Sequence, residues 1–88
     1  MSFDIEFTTK AEKEMSKMDK QTVRKILNYL KMRVSSQSDP RNFGKELKGN
    51  LAGLWRYRVE NHRIICRIED ERMVVLVVRV GHRKDVYG

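Results

Sequence analysis

The feature that most constrains this chain is residues 54–68, which have the pattern of two β-strands joined by a short polar turn at residues 60–62. Successive side chains of a strand point to opposite faces. One face therefore receives Trp55, Tyr57, Val59, Ile64, Cys66 and Ile68, and the other receives Arg56, Arg58, Arg63 and Arg67. Solubility alone does not require an arginine-rich face, so we expect this face to bind something anionic.

The charge balance agrees with that expectation. The chain has 19 Lys and Arg against 12 Asp and Glu, a formal net charge of +7. Such a balance favours nucleic acid or an acidic protein as the partner. Because 88 residues form one modest core, we predict a single domain over residues 1–88, with its site on a surface or in a shallow groove.

Cysteine and histidine are scarce. A single cysteine excludes an internal disulfide, and with two histidines it leaves too few ligands for an ordinary zinc site. We therefore expect no metal and no cofactor. The N-terminus lacks the features of a signal peptide, and no stretch approaches the ~20 apolar residues of a membrane span. These patterns predict a cytoplasmic protein without a membrane contact.

The N-terminal half predicts one strand and two helices. Alternation of Phe3, Ile5 and Phe7 with acidic residues indicates a short half-buried strand. Thr9 and Glu12 have capping-box spacing for a first helix, and Asp19 is the expected cap of a second. The second helix has an apolar stripe of Val23, Ile26, Leu27, Leu30 and Val34. Pro40 ends this helical region, and a linker leads to the hairpin.

The last strand is predicted over residues 73–80, an almost unbroken run of Val and Leu that suits a central position. We assign Val74, Leu76, Val78 and Val80 to the core and Arg79 to the arginine-bearing face. The element order β-α-α-β-β-β predicts an α+β fold, with two N-terminal helices on one face of a small, mostly antiparallel sheet. The other face, partly open, carries the arginines.

Three segments carry a family resemblance: residues 45–49 (KELKG), residues 55–65 of the hairpin, and residues 81–87 (GHRKDVY). With the helix pair, they make the chain resemble a RelE-type toxin of the RelE/ParE superfamily. The resemblance implies a ribosome-dependent endoribonuclease that cuts mRNA in the ribosomal A site without a metal, by attack of a 2′-hydroxyl on the adjacent phosphate. It also implies a cognate acidic, RelB-like antitoxin, with operator DNA contacted only through that antitoxin.

The resemblance also implies roles for individual residues. The paired basic positions of the first hairpin strand fall on Arg56 and Arg58, and the phosphate-binding arginine of the return strand falls on Arg63. An arginine after the last strand matches Arg83, and a near-terminal tyrosine matches Tyr87. The chain departs from the family in two ways. The best-known members carry lysines at the two hairpin positions, where this chain has arginines. Some members continue beyond the tyrosine into a further helix.

Arginine stays charged and matches phosphate oxygens, so Arg56 and Arg58 suit charge stabilisation better than proton transfer. For the general base the resemblance implies Tyr87, and His82 is the other nearby candidate. The sequence leaves both open, together with a 2′-hydroxyl that needs little more than positioning by the ribosome. Arg67 and Arg79 are further candidates for RNA contact, with contacts to carboxylates as an equal alternative. Cys66 and Tyr57 are expected in the core.

Two other function classes fit the same charges. A ParE-like member would poison DNA gyrase by binding and would have no nuclease site. A plain basic module would bind nucleic acid without chemistry. The combination of Arg63, Arg83 and Tyr87 favours the nuclease.

Overall fold

The computed structural model describes residues 2–36 and 39–82. Its strands are β1 Asp4–Phe7, β2 Lys45–Glu46, β3 Trp55–Val59, β4 His62–Glu69 and β5 Val74–His82. Its helices are α1 Thr9–Ser16 and α2 Lys20–Tyr29, and a π-helical segment, Leu30–Ser35, continues α2. Short 3₁₀ turns occupy Pro40–Phe43, Gly49–Leu51 and Asp70–Arg72. Within this part of the chain, no helix has both the length and the apolar character needed to cross a membrane.

The five strands form one mixed sheet in the order β1-β5-β4-β3-β2. The strand β1 runs parallel to β5, and the other neighbouring strands are antiparallel. The α+β class, the helix pair and the interior position of β5 are therefore confirmed. The strand β2 corrects the prediction, because it lies in the expected linker. With only two residues paired to β3, it has no length over which an alternating pattern can show.

The two helices begin with side-chain caps. The carboxylate of Asp19 accepts a hydrogen bond from the Thr22 N–H at 3.3 Å, as predicted for α2. The cap of α1 is Thr8 rather than the predicted Thr9. Thr8 has the extended backbone that a cap needs, and its hydroxyl accepts from the Ala11 N–H at 3.1 Å.

The core lies between the helices and one face of the sheet. Its fully buried members include Ile26, Leu30 and Val34 from the helical region and Tyr57, Ile64 and Cys66 from the hairpin. The predicted alternation of the hairpin is thus confirmed. Leu27 departs from the predicted stripe, because 42% of it is exposed.

The alternation of β5 differs from the prediction. In the core cluster β5 contributes Val75, Val77 and Val80, where the sequence predicts Val74, Leu76, Val78 and Val80. Val74 is buried as predicted, at 4% exposure, but on the opposite face of the sheet. Cys66 of β4 pairs with Val77, and the preceding Ile65 pairs with Arg79, so Val78 has no paired residue in β4. This β-bulge adds one residue and reverses the alternation on its N-terminal side. Arg79 and Val80, which follow the bulge, keep their predicted faces.

Candidate functional site

The arginine face is the sheet surface opposite the helices, and it carries Arg56, Arg58, Arg63, Arg67 and Arg79. Directly paired residues of neighbouring strands share a face. Arg58 pairs with Arg63, and Ile65 pairs with both Arg56 and Arg79. Since Cys66 faces the core, Arg67 next to it faces the other side. The structure thus places the five predicted arginines on one face, as the sequence indicates.

Arg58 and Arg63 form the centre of this face. They lie directly opposite each other near the β3–β4 turn, and with Glu60 and Asn61 they line a cleft of about 60 Å³. Arg63 is only 5% exposed, although the sequence predicts an open position for it. Like charges directly opposite each other destabilise a sheet. An anion in the cleft would accept charge-assisted hydrogen bonds from the exposed Arg58 and would offset this repulsion.

Arg56 lies beside this pair and is half-buried. Its Nε atom is buried and has no hydrogen-bond partner in residues 2–36 and 39–82. Neither Arg56 nor the exposed Arg58 forms an ion pair with any side chain in these two ranges. Both guanidinium groups therefore remain available to a ligand.

The other two arginines have carboxylate partners. Arg67 lies 3.5 Å from Glu69, and Nε of Arg79 donates to Glu14 of α1 at 3.0 Å. The first contact is long and exposed, so it leaves Arg67 largely available. The second is shorter and partly buried, which gives Arg79 the structural partner that the sequence held as an alternative. Contact of either residue with RNA stays a prediction.

The structure does not bring His82 onto the arginine face. His82 ends β5 and pairs with His62, which pairs in turn with Val59 of the core-facing side. The two imidazole rings meet edge-on, with centroids 6.0 Å apart. His62 begins β4 rather than lying in the turn, as its position in the pairing shows. Arg83 and Tyr87 lie outside the described residues.

Cys66 does not provide a nucleophile on the arginine face. Cys66 is fully buried in the core, as predicted, and burial raises the pKa of its thiol above the ordinary value. In the described ranges, no three His, Cys, Asp or Glu side chains lie close enough together to hold a metal ion. The chemistry supported by this face is charge stabilisation by guanidinium groups.

A second concave surface, which the sequence analysis missed, lies between α1 and α2. This helix groove has a volume of about 700 Å³ and is lined by Met15, Ser16, Met18, Lys20, Val23, Arg24, Leu27, Asn28 and Lys31. The lining contains three cations and no carboxylate. The sequence does contain a sign of this groove, because Val23 and Leu27 make the apolar stripe wider than the fully buried line of Ile26, Leu30 and Val34.

Comparison with known proteins assigns the family. Residues 5–87 match the family described as "ParE toxin of type II toxin-antitoxin system, parDE". The chain belongs to the RelE/ParE superfamily of type II toxins. Toxin RelG of Mycobacterium tuberculosis is 31% identical to the toxin over 87 residues, which cover 99% of the toxin and 98% of RelG.

Solved structures agree with this assignment. A chain of the RelBE2 toxin–antitoxin complex from Mycobacterium tuberculosis matches the toxin with a TM-score of 0.85 and 29% identity, covering 97% of the toxin and 95% of that chain. The isolated RelE toxin of E. coli matches with a TM-score of 0.72 and 23% identity, over 98% and 92% of the two chains, which shows the shared fold. The predicted superfamily and RelE-like fold are confirmed.

Proposed function

We propose that the toxin is a ribosome-dependent endoribonuclease that cleaves mRNA in the ribosomal A site. The observation that supports this best is the cross-strand pair Arg58–Arg63 with Arg56 beside it, on the face of the sheet opposite the core. Phosphate oxygens match the planar fork of arginine, and two forks that converge on one cleft would hold a phosphate in a defined orientation.

The proposed reaction is an internal transesterification. The 2′-oxygen forms a bond to phosphorus while the bond from phosphorus to the 5′-oxygen breaks, which leaves a 2′,3′-cyclic phosphate and a free 5′-hydroxyl. A general base takes the 2′-hydroxyl proton, and the departing oxygen receives a proton from an acid or water. Arg58 and Arg63 would stabilise the extra negative charge on the phosphoryl oxygens, where a single donor is worth about 100- to 1,000-fold in rate. No step requires a metal.

The base assigned here is Tyr87. His82 of β5 pairs with His62 of β4 on the core-facing side of the sheet, so its imidazole does not point to the face that carries Arg58 and Arg63. A phenol with an ordinary pKa of about 10 needs nearby positive charge to lose its proton. We assign the supply of this charge to the arginine face and to Arg83.

Translating ribosomes with a defined mRNA provide the decisive test. We expect cleavage only where a codon occupies the A site, and upstream fragments that end in a 2′,3′-cyclic phosphate. The Arg56→Ala/Arg58→Ala variant should lose cleavage, whereas Arg24→Ala, which removes a cation from the helical side, should retain it. An intact message after incubation with the parental toxin would reject the proposal.

We also propose an occupant for the helix groove: an amphipathic acidic helix of the cognate antitoxin. The lining combines apolar side chains, among them Met15, Val23 and Leu27, with the cations Lys20, Arg24 and Lys31. An apolar stripe flanked by carboxylates complements both features. The RelE-like fold is found in RelBE and RelE–RelB complexes from E. coli and Pyrococcus horikoshii. The antitoxin would cover the arginine face with a further segment and would provide any operator DNA contact, in the cytoplasm where ribosomes are found.

A second candidate function follows from the family match, which names ParE. A toxin of that kind would inhibit DNA gyrase by binding and would leave RNA intact. Gyrase supercoiling of relaxed DNA in the presence of the toxin tests it directly. Inhibition without mRNA cleavage would favour this candidate, and salt-sensitive nucleic-acid binding without either effect would indicate a plain basic module.

A further inference from the structure

The C-terminal half of β5 has no strand on its outer side. The strand β1 pairs with β5 only from Val74 to Val77, while β5 continues to His82. Beyond Val77, residues of α1 and its cap Thr8 form the hydrogen bonds to the outer edge of β5. The Thr8 N–H donates to the Val77 carbonyl at 3.0 Å, and the Thr8 hydroxyl donates to the Val78 carbonyl at 3.3 Å.

Glu14, in the last turns of α1, completes this edge. One carboxylate oxygen accepts from the Val80 backbone N–H at 2.9 Å, and the other accepts from Nε of Arg79 at 3.0 Å. The side chain of Glu14 is 23% exposed and that of Arg79 is 32% exposed, so both contacts are partly shielded from water. Hydrogen bonds to a charged group in such a setting are stronger than neutral ones.

The contact has an electrostatic effect on the arginine face. Arg79 and Arg56 both pair with Ile65, one from each side, so they flank Ile65 on that face. Glu14 neutralises Arg79 and leaves Arg56 available. Without the carboxylate, Arg79 would become another cation able to bind phosphate, away from the cleft between Arg58 and Arg63.

We infer that Glu14 is a positioning residue for the toxin's action. It fixes the end of β5, from which the chain continues to Arg83 and Tyr87, and it withdraws Arg79 from RNA so that Arg56, Arg58 and Arg63 set the position of the phosphate. The catalytic part of this inference rests on the proposed nuclease function. The fixation of β5 and the withdrawal of Arg79 do not depend on which target the toxin attacks.

Glu14→Ala should produce three changes. The Val80 amide should lose protection from hydrogen exchange. Binding to a short single-stranded RNA should be no weaker at low salt, and the slope of log affinity against log salt should steepen by about 0.7, the value for one added phosphate contact. Growth arrest on expression should be lost, and single-turnover cleavage on ribosomes should slow by about 10- to 100-fold at unchanged ribosome affinity.

Glu12→Gln is the matched control, since Glu12 lies on the same helix and is exposed. If Glu14→Ala fails to fold, Glu14→Gln is the variant that tests the inference. It keeps a neutral acceptor for the Val80 N–H and removes the negative charge that pairs with Arg79. The inference is overturned if the variant tested keeps the parental salt slope or arrests growth like the parental toxin. Failure of the parental toxin to cleave mRNA would reject the nuclease proposal instead. Growth arrest and the salt slope of RNA binding would still test the role of Glu14.

Discussion

Arg58 of β3 and Arg63 of β4 lie directly opposite each other, and the cleft that they line with Glu60 and Asn61 is about 60 Å³ in volume. Two like charges in this position raise the free energy of the folded sheet. Arg58 is exposed and Arg63 is buried, so the two residues contribute differently to stability and to binding.

Removal of Arg58 should stabilise the toxin while inactivating it. Arg58→Ala removes one of two directly opposed arginines with little loss of packing at an exposed position, so the free energy of unfolding should rise, by less than about 1 kcal/mol. The cleavage rate should fall about 100- to 1,000-fold. Chemical denaturation and single-turnover cleavage measure the two effects. Inorganic phosphate should raise the melting temperature of the parental toxin more than that of the variant, and equal rises would show that Arg58 takes no part in anion binding.

Truncation of Arg63 should cost both activity and stability. Its 5% exposure means that Arg63→Ala removes buried side-chain volume, and losses of this kind are typically about 0.5–3 kcal/mol. Arg63→Lys restores the charge and most of the stem but not the planar fork. We expect denaturant unfolding to show recovered stability in the lysine variant, while cleavage stays impaired. A lysine variant with parental cleavage would show that the fork is unnecessary.

The assignment of the base is tested by one pair of variants. Tyr87→Phe keeps the ring and removes the hydroxyl, so it should slow single-turnover cleavage at unchanged ribosome affinity and abolish one limb of the pH–rate profile. His82→Gln should retain the rate, because His82 shares the side of β5 that faces the helices. The opposite result would transfer the role to His82. If both variants keep the parental rate and pH–rate profile, positioning of the substrate by the ribosome and the arginines would account for catalysis.

The helix groove should control antitoxin binding and not cleavage. Leu27→Glu places a carboxylate in the groove lining and should weaken antitoxin binding by about 10- to 100-fold, because an ionised group would replace the apolar surface against which the antitoxin's apolar stripe packs and would repel its carboxylates. Isothermal titration with the cognate antitoxin measures the loss. Met32→Glu is the control, since Met32 is 59% exposed and lies outside the groove lining. Equal affinities of the two variants would exclude the groove as the docking site.

Stability should decline in alkaline solution. Burial raises the pKa of the Tyr57 phenol above its ordinary 10.0 and that of the Cys66 thiol above its ordinary 9.0. The folded state then holds protons that the unfolded chain has already released, so this stability is fully present below about pH 9 and is lost above it, with a slope of about 1.4 kcal/mol per pH unit for each ionising group. Urea unfolding at several pH values should show this decline, and Cys66→Ala should make it shallower between about pH 9 and 10.

The sequence by itself determined the elements with a repeating pattern. The hairpin placed Tyr57 and Cys66 in the core and the arginines opposite them, because side-chain alternation is a local property of an extended chain. The cap at Asp19 was predictable for the same reason, since its hydrogen bond spans three residues. The superfamily was also within reach of the sequence, through the order of three short segments.

Tertiary structure decided what depends on partners distant in the chain. The bulge at Val78 follows from the pairing of β5 with β4, and it reversed the predicted faces of Val74 and Leu76. The contact of Glu14 with Arg79 joins residues 65 positions apart, which no local pattern reveals. The burial of Arg63 and the groove beside Leu27 likewise depend on which surfaces other elements cover. Alternation assigns a side chain to a face of the sheet, and only the packing of the whole chain determines what that side chain meets there.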